Sequence, residues 1–220
     1  MSTLLTINVQ NNSPMTEMFY FFQQPAVFTG GGMAYSNCLM AEALGSYSQT
    51  GAVLTFQATA QPYACIQQAH TTPQIGQMSG YATATRPIDL ATGSAANDAT
   101  VASVNPLGLS QPSPQAGVQP GAFRITTPAY APPATYNIGS AVQVGWGPML
   151  SSFVTANPNY NVDCQPVLKF YVQTGNASPG SVINFSQASV NAALCDFTSG
   201  YSVINVTLNP DGTWTVQMVQ

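Results

Sequence analysis

Charge is what this chain has least of. Asp, Glu, Lys and Arg together make up 5% of its 220 residues, where an ordinary soluble domain carries about 25%. Its three basic residues are Arg86, Arg124 and Lys169. Neutralising a nucleic-acid backbone takes several clustered Lys and Arg, so nucleic acid is excluded as a partner. Polybasic attachment to a membrane surface fails for the same reason. The seven acidic residues are spread thinly from Glu17 to Asp211. The surface must therefore be mostly Ser, Thr, Asn, Gln, Gly and Ala. Copies with such a surface repel one another weakly, which favours self-association.

Ionisable chemistry is equally scarce. There is one histidine, His70, in QQAHTTP. A zinc site takes several histidines or closely spaced cysteines, and neither is present, so no metal and no cofactor are expected. The G-x-S-x-G elbow, the P-loop, G-x-G-x-x-G and the D-x-D-x-D-G calcium loop are all missing. His70 reads as a surface turn residue. The carboxylates show no local pairing. Asp163 and Asp196 each adjoin a cysteine, so a hydrolase with a carboxylate pair would need those two segments to meet.

No stretch reaches 18 apolar residues, which excludes a transmembrane helix. The N-terminus, MSTLLTINVQNNS, has neither a basic start nor an apolar core, so it does not read as a classical signal peptide. The compartment stays open, although charge depletion of this kind is common in extracellular and surface proteins. There are four cysteines, Cys38, Cys65, Cys164 and Cys195, and no C-x-x-C. Buried free thiols are the plain reading. Disulfides are the alternative, with Cys38–Cys65 and Cys164–Cys195 the pairing that respects their grouping.

Helical patterning is also poor. Residues 37–44, NCLMAEAL, form the one candidate, capped by Ser36 or Asn37 and stopped by Gly45, and they would serve nearly as well as a strand. Strand signals are frequent. Leu4–Gln10 alternates and ends in a polar turn, Ala52–Thr59 follows, and Val167–Gln173 places Leu168, Phe170 and Val172 on one face. The C-terminal hairpin is the clearest element. Asn209-Pro210-Asp211-Gly212 forms its turn, Ile204, Val206 and Leu208 share one face, and Trp214, Val216 and Met218 share the facing one, which makes Trp214 a core residue. These signals predict an all-β, two-sheet, mainly antiparallel β-sandwich. It is a single domain over residues 1–220, with a long Pro-rich loop excursion near 105–121.

Residues 18–22, MFYFF, are greasy on both faces of a strand. One of the two sets, Phe19 with Phe21 or Met18 with Tyr20 and Phe22, fills the core. The other must be covered by a loop such as 105–121 or by another subunit. Phe19 and Phe21 are the candidate interface pair. Gly30–Gly32 then allow a bend or the close approach of another backbone. For ligand binding the candidates are Trp146, flanked by glycines in GWGP, and Tyr35. Aromatic faces beside Asn and Gln suit glycans.

FYVQTGNASPGSVINF (170–185), VTLNPDGTWTV (206–216) and the opening INVQNNS resemble small uncharacterised fungal and bacterial proteins that begin directly on a strand. The resemblance implies a β-sandwich and carries no assigned activity. The leading expectation is a non-catalytic, self-associating structural or surface protein, a homo-oligomer or fibre subunit. The alternatives are a lectin-like or defence-type module for neutral polar ligands such as glycans, and the carboxylate hydrolase.

Overall fold

Period-two patterning broken by Gly, Pro and Asn leaves little room for helix. The computed structural model describes residues 3–92, 96–145 and 147–219, and over these the chain is all-β. Its strands are β1 (Leu4–Asn11), β2 (Glu17–Gln23), β3 (Val27–Thr29), β4 (Tyr35–Leu44), β5 (Leu54–Thr59), β6 (Tyr63–Ala69), β7 (Ala82–Pro87), β8 (Ala99–Val104), β9 (Leu107–Leu109), β10 (Phe123–Thr126), β11 (Thr135–Val144), β12 (Gly147–Thr155), β13 (Asn161–Gln165), β14 (Lys169–Thr174), β15 (Val182–Ile183), β16 (Ala193–Asp196), β17 (Val203–Leu208) and β18 (Trp214–Val219). Two single helical turns, α1 (Tyr47–Thr50) and α2 (Phe185–Ala188), interrupt them. Neither is long and apolar enough to cross a membrane.

Thirteen strands belong to one sheet and five to the other. The main path of the larger sheet runs β16-β14-β2-β4-β12-β11-β5-β1-β17-β18, with β6 and β7 branching from β11 and β15 from β4. The smaller sheet runs β3-β13-β10-β8-β9. Most pairs are antiparallel. The parallel ones are β1 with β17 and β8 with β10. Two sheets were expected, but the larger one curls so far that it is nearly a barrel. Phe21 on β2 stacks on Phe56 on β5 at 4.7 Å, although three strands lie between them along the path. Phe56 in turn meets Phe170 on β14 at 5.9 Å. The two ends of the path, β16 and β18, come side by side without a hydrogen-bonded ladder. The seam is bridged by the Trp214 indole, whose Nε1 donates to the Asn191 carbonyl at 2.8 Å.

The barrel interior holds Ile7, Phe19, Phe21, Phe56, Phe170 and Ile204, all essentially sealed from water. Burying each such side chain is worth about 1.5–3 kcal/mol. A second core lies where β6, β11 and β12 pack on the smaller sheet, joining Ile66, Ile138 and Val154 to Phe123, Ile125 and Val162. The long strand β11 serves both, with Ile138 in one core and Val142 in the other. Close packing here depends on Gly139, where a Cβ would sit 2.1 Å from the Ser152 carbonyl oxygen.

Several expectations are corrected. Residues 37–44 are not a helix. They belong to strand β4, because both edges find partners in β2, β12 and β15, and tertiary pairing outweighs local propensity. Phe19 and Phe21, the candidate interface pair, are both 0% exposed inside the barrel and reach no partner. The other face of β2 is covered by the chain itself, though not by residues 105–121. Phe22 stacks on Tyr171 at 5.3 Å and meets the edge of Phe185 from α2 at 6.1 Å. Phe21 and Phe22 are both buried although adjacent because both faces of β2 are covered, and the bulge at this point places its extra residue, Leu39, on β4 opposite them. The 105–121 excursion contains β9 and is tied down elsewhere, by Gln115 N–H to Asp98 and Gln119 N–H to Asp163. Gly30 has φ +86°, and a Cβ there would lie 2.7 Å from the Asn161 carbonyl oxygen, which is the close approach expected of that glycine run. Cys38, Cys65, Cys164 and Cys195 are all free and buried, so the disulfide alternative falls. Burial pushes the Cys38 and Cys195 thiols up to about 12 and the other two up as well.

Candidate functional site

The outer face of β2 is only half covered. At the Phe22 end, α2 closes over it. At the Met18 and Tyr20 end it stays open, as the floor of a groove of about 990 Å³. The end of β14 continues the floor with Gln173 and Thr174, the segment 176–191 forms one wall, and Gly212 with Trp214 forms the other. Local sequence explains each part. Pro210 and Gly212 fold the tight β17–β18 turn, with Gly212 at φ +82°, and so present Trp214 as the first residue of the edge strand. Asn184 caps α2 by accepting from Gln187 N–H at 3.3 Å, which sets the wall containing Gln187 and Asn191.

Among the described residues, no Asp, Glu, Lys, Arg or His lines this groove. Its polar groups are neutral amides and hydroxyls. Gln173 is committed internally: its Nε2 donates to the Ala188 carbonyl at 3.2 Å and its Oε1 accepts from Thr174 N–H at 2.8 Å. Among the described residues, the side-chain amides of Asn176, Gln187 and Asn191 and the Tyr20 hydroxyl make no hydrogen bond within the chain and are available to a ligand. Tyr20 stacks on Phe22 at 5.6 Å, which fixes its ring. Burial, with a smaller contribution from Cys38, pushes its phenol up, so it is a neutral hydroxyl throughout the physiological range. Trp214 is held by its Nε1 bond and by the edge of Phe19 at 6.2 Å. The groove thus offers two pre-set aromatic side chains and several free amides. Its hydroxyls belong to Tyr20, Thr174, Ser178 and Ser181, and among the described lining residues no His, Asp, Glu or Lys stands beside them to act as a base.

A second hollow of about 630 Å³ lies between β4 and the β11–β12 hairpin, lined by Leu39, Met40, Val144 and Met149 with Glu42 as its one ionisable group. Trp146, the first ligand-binding candidate, lies outside the described residues. Tyr35, the second, is not in the groove. It stacks on Phe153 at 5.4 Å and packs against a small third core. His70 is exposed, as expected of a surface turn, and stacks on Tyr81 at 4.1 Å.

The two acids that would have made a carboxylate pair are separately committed. Asp163 on β13 takes a bidentate bond from Arg124 on β10, Nε at 2.6 Å and Nη2 at 2.9 Å. Asp196 on β16 pairs with Lys169 on β14 at 2.9 Å. They sit on different sheets, and neither lines the groove. Among the described residues no group of His, Cys, Asp and Glu is arranged to hold a metal ion.

Trp214 packs against the barrel core, as its alternation predicts, and also lines the groove, which the sequence does not show. It does alternate with Val216, but it heads an edge strand beside an open seam and is only half-buried.

The family model described as RhiA matches residues 2–219, and the chain belongs to that family. No curated protein and no solved structure matches it.

Proposed function

We propose that this RhiA-family chain is a non-catalytic binding protein for neutral polyhydroxylated ligands, glycans above all, and that it holds them in the groove between Tyr20 and Trp214. One observation carries the reading: the largest concavity among those described joins two fixed aromatic rings to unpaired amides, with no Asp, Glu, Lys, Arg or His among the described residues that line it. Sugar rings present apolar C–H faces that pack on aromatics, and hydroxyls that pair with neutral amides. A site built for acid–base hydrolysis would place carboxylates or histidine there. Anionic ligands meet no cation among the described lining residues, and the chain's three cations are engaged elsewhere. Arg86 donates to the Leu109 carbonyl at 3.0 Å, and Arg124 and Lys169 are in ion pairs.

Self-association now rests on charge depletion alone, since Phe19 and Phe21 are internal. A glycan array followed by calorimetric titration tests the binding reading. We expect hits among uncharged glycans and a loss of roughly tenfold in affinity, about 1.4 kcal/mol, for Tyr20→Ala. Trp214→Phe should weaken binding less and preserve the fold. An array without hits, or Tyr20→Ala binding as well as the parent, overturns the reading.

A further inference from the structure

The groove is not uniformly polar. Met18 and Ile75 project into its rim at 37% and 62% exposure, and Ile183 lines its wall beside the free amides. A plain hexose chain spends its ring C–H faces on Tyr20 and Trp214, and the groups it has left for these aliphatic side chains are mostly hydroxyls, which would lose water there without gaining partners. A ligand that carries methyl groups beside amides resolves the conflict. Its methyl packs on the aliphatic side chains, and its amide N–H and C=O pair with Asn176, Gln187 or Asn191, each of which carries both donors and an acceptor.

Resting on the glycan reading above, we propose that the groove selects N-acetylated, uncharged hexosamine oligomers over other glycans. The acetamido group supplies the methyl and the amide together. The sugar rings use Tyr20 and Trp214. The absence of any cation in the lining removes the means of holding uronic acids or sulfated sugars. The absence of any carboxylate there removes the means of holding a free amine.

The test is a set of calorimetric and chemical-shift titrations of the whole chain with three β-linked tetramers: of N-acetylglucosamine, of glucose, and of glucosamine lacking its acetyl groups. The acetylated tetramer is expected to bind at least tenfold more tightly than the glucose tetramer and to shift the Tyr20, Asn176 and Asn191 resonances. The double variant Met18→Gln, Ile75→Ser alters exposed side chains only and should bring the two affinities within about twofold of each other. If the glucose or the deacetylated tetramer binds the groove as tightly as the acetylated one, the proposal is overturned while the glycan reading stands. If none of the three perturbs the groove, and the array is also empty, both fall.

Discussion

The barrel and the smaller sheet solve the same problem with different materials. The barrel is filled by phenylalanines in contact, Phe21 on Phe56 on Phe170, and its ion pair, Lys169–Asp196, lies at the surface with side chains 31% and 21% exposed. The second core is mainly aliphatic, with Phe123 and Tyr136 as its buried aromatics and Phe28 and Tyr130 packed at its edge. Beside it lies a far better protected pair, Arg124–Asp163, at 16% and 5%. The difference follows from what each region must anchor. The barrel closes on itself through side chains that cross its interior. The smaller sheet carries the Pro-rich excursion 105–121, which has few apolar side chains to bury. That loop is held by polar bonds instead: Arg124 Nη2 to the Gly117 carbonyl at 2.8 Å, and Gln119 N–H to Asp163 at 3.1 Å.

What the two regions share is buried thiol, and the largest expected effect uses it. The barrel core contains Cys195, the second core Cys164 and the third Cys65. A thiol whose folded value is raised favours the folded state fully below its ordinary value of 9.0, and that contribution is lost as pH climbs towards about 12 for Cys38 and Cys195. Three units amount to about 4 kcal/mol per thiol once titrated, and a domain is stable by about 5–15 kcal/mol in all. The barrel should therefore lose stability between pH 9 and 12, as followed by far-UV circular dichroism, and the second core should weaken above pH 9 as well, since burial also raises Cys164. Below that range a thiol reagent should label no cysteine until denaturant is added. Labelling of the native protein at neutral pH would show that a thiol is reachable.

Phe21→Ala comes next. It removes the middle of the aromatic contact chain and should cost about 3–5 kcal/mol in denaturant unfolding. Asp163→Ala follows, at about 2–4 kcal/mol, because it strands the Arg124 guanidinium. Its signature is local: hydrogen exchange should accelerate across residues 115–122 and leave β1, β2 and β14 protected. If exchange in the barrel rises equally, the two regions are one cooperative unit and the contrast in materials has no separate consequence.

The elements that could be read from sequence were those whose two faces meet different environments. In β17 the inward residues Ile204, Val206 and Leu208 are buried and their neighbours are not, so period two shows through. Strand β4 was illegible because Asn37, Cys38 and Leu39 are all buried in succession, a pattern that fits a buried strand or a helix equally well. The burial of Phe21 and Phe22 together depends on Tyr171 and Phe185 covering the outer face of β2, and alternation alone cannot say what supplies that cover. The groove was hidden for a different reason. Asn176, Gln187 and Asn191 come from a stretch of turns without periodicity, and Trp214 alternates as a core residue would. Only the seam between β16 and β18, a property of the closed path, leaves it half open.

The smallest expected effect separates the two ion pairs. Lys169–Asp196 is exposed, and exposed pairs contribute little, so Lys169→Met should leave the unfolding midpoint where it is. The Asp196 carboxyl is nevertheless held below the usual carboxylate value, first by the Thr198 hydroxyl and only then by Lys169. Thr198 also donates its N–H to the same oxygen at 2.9 Å. A carboxyl lowered in this way stabilises the fold above its ordinary value, and the contribution fades as pH falls through the lowered one. Thr198→Ala should therefore raise the Asp196 titration midpoint, read by NMR, more than Lys169→Met does. In the second core Asp163 takes its shortest side-chain bonds from its ion-pair partner, Arg124. If Lys169→Met proves the larger perturbation, the surface pair works as the protected one does, and exposure is not what distinguishes them.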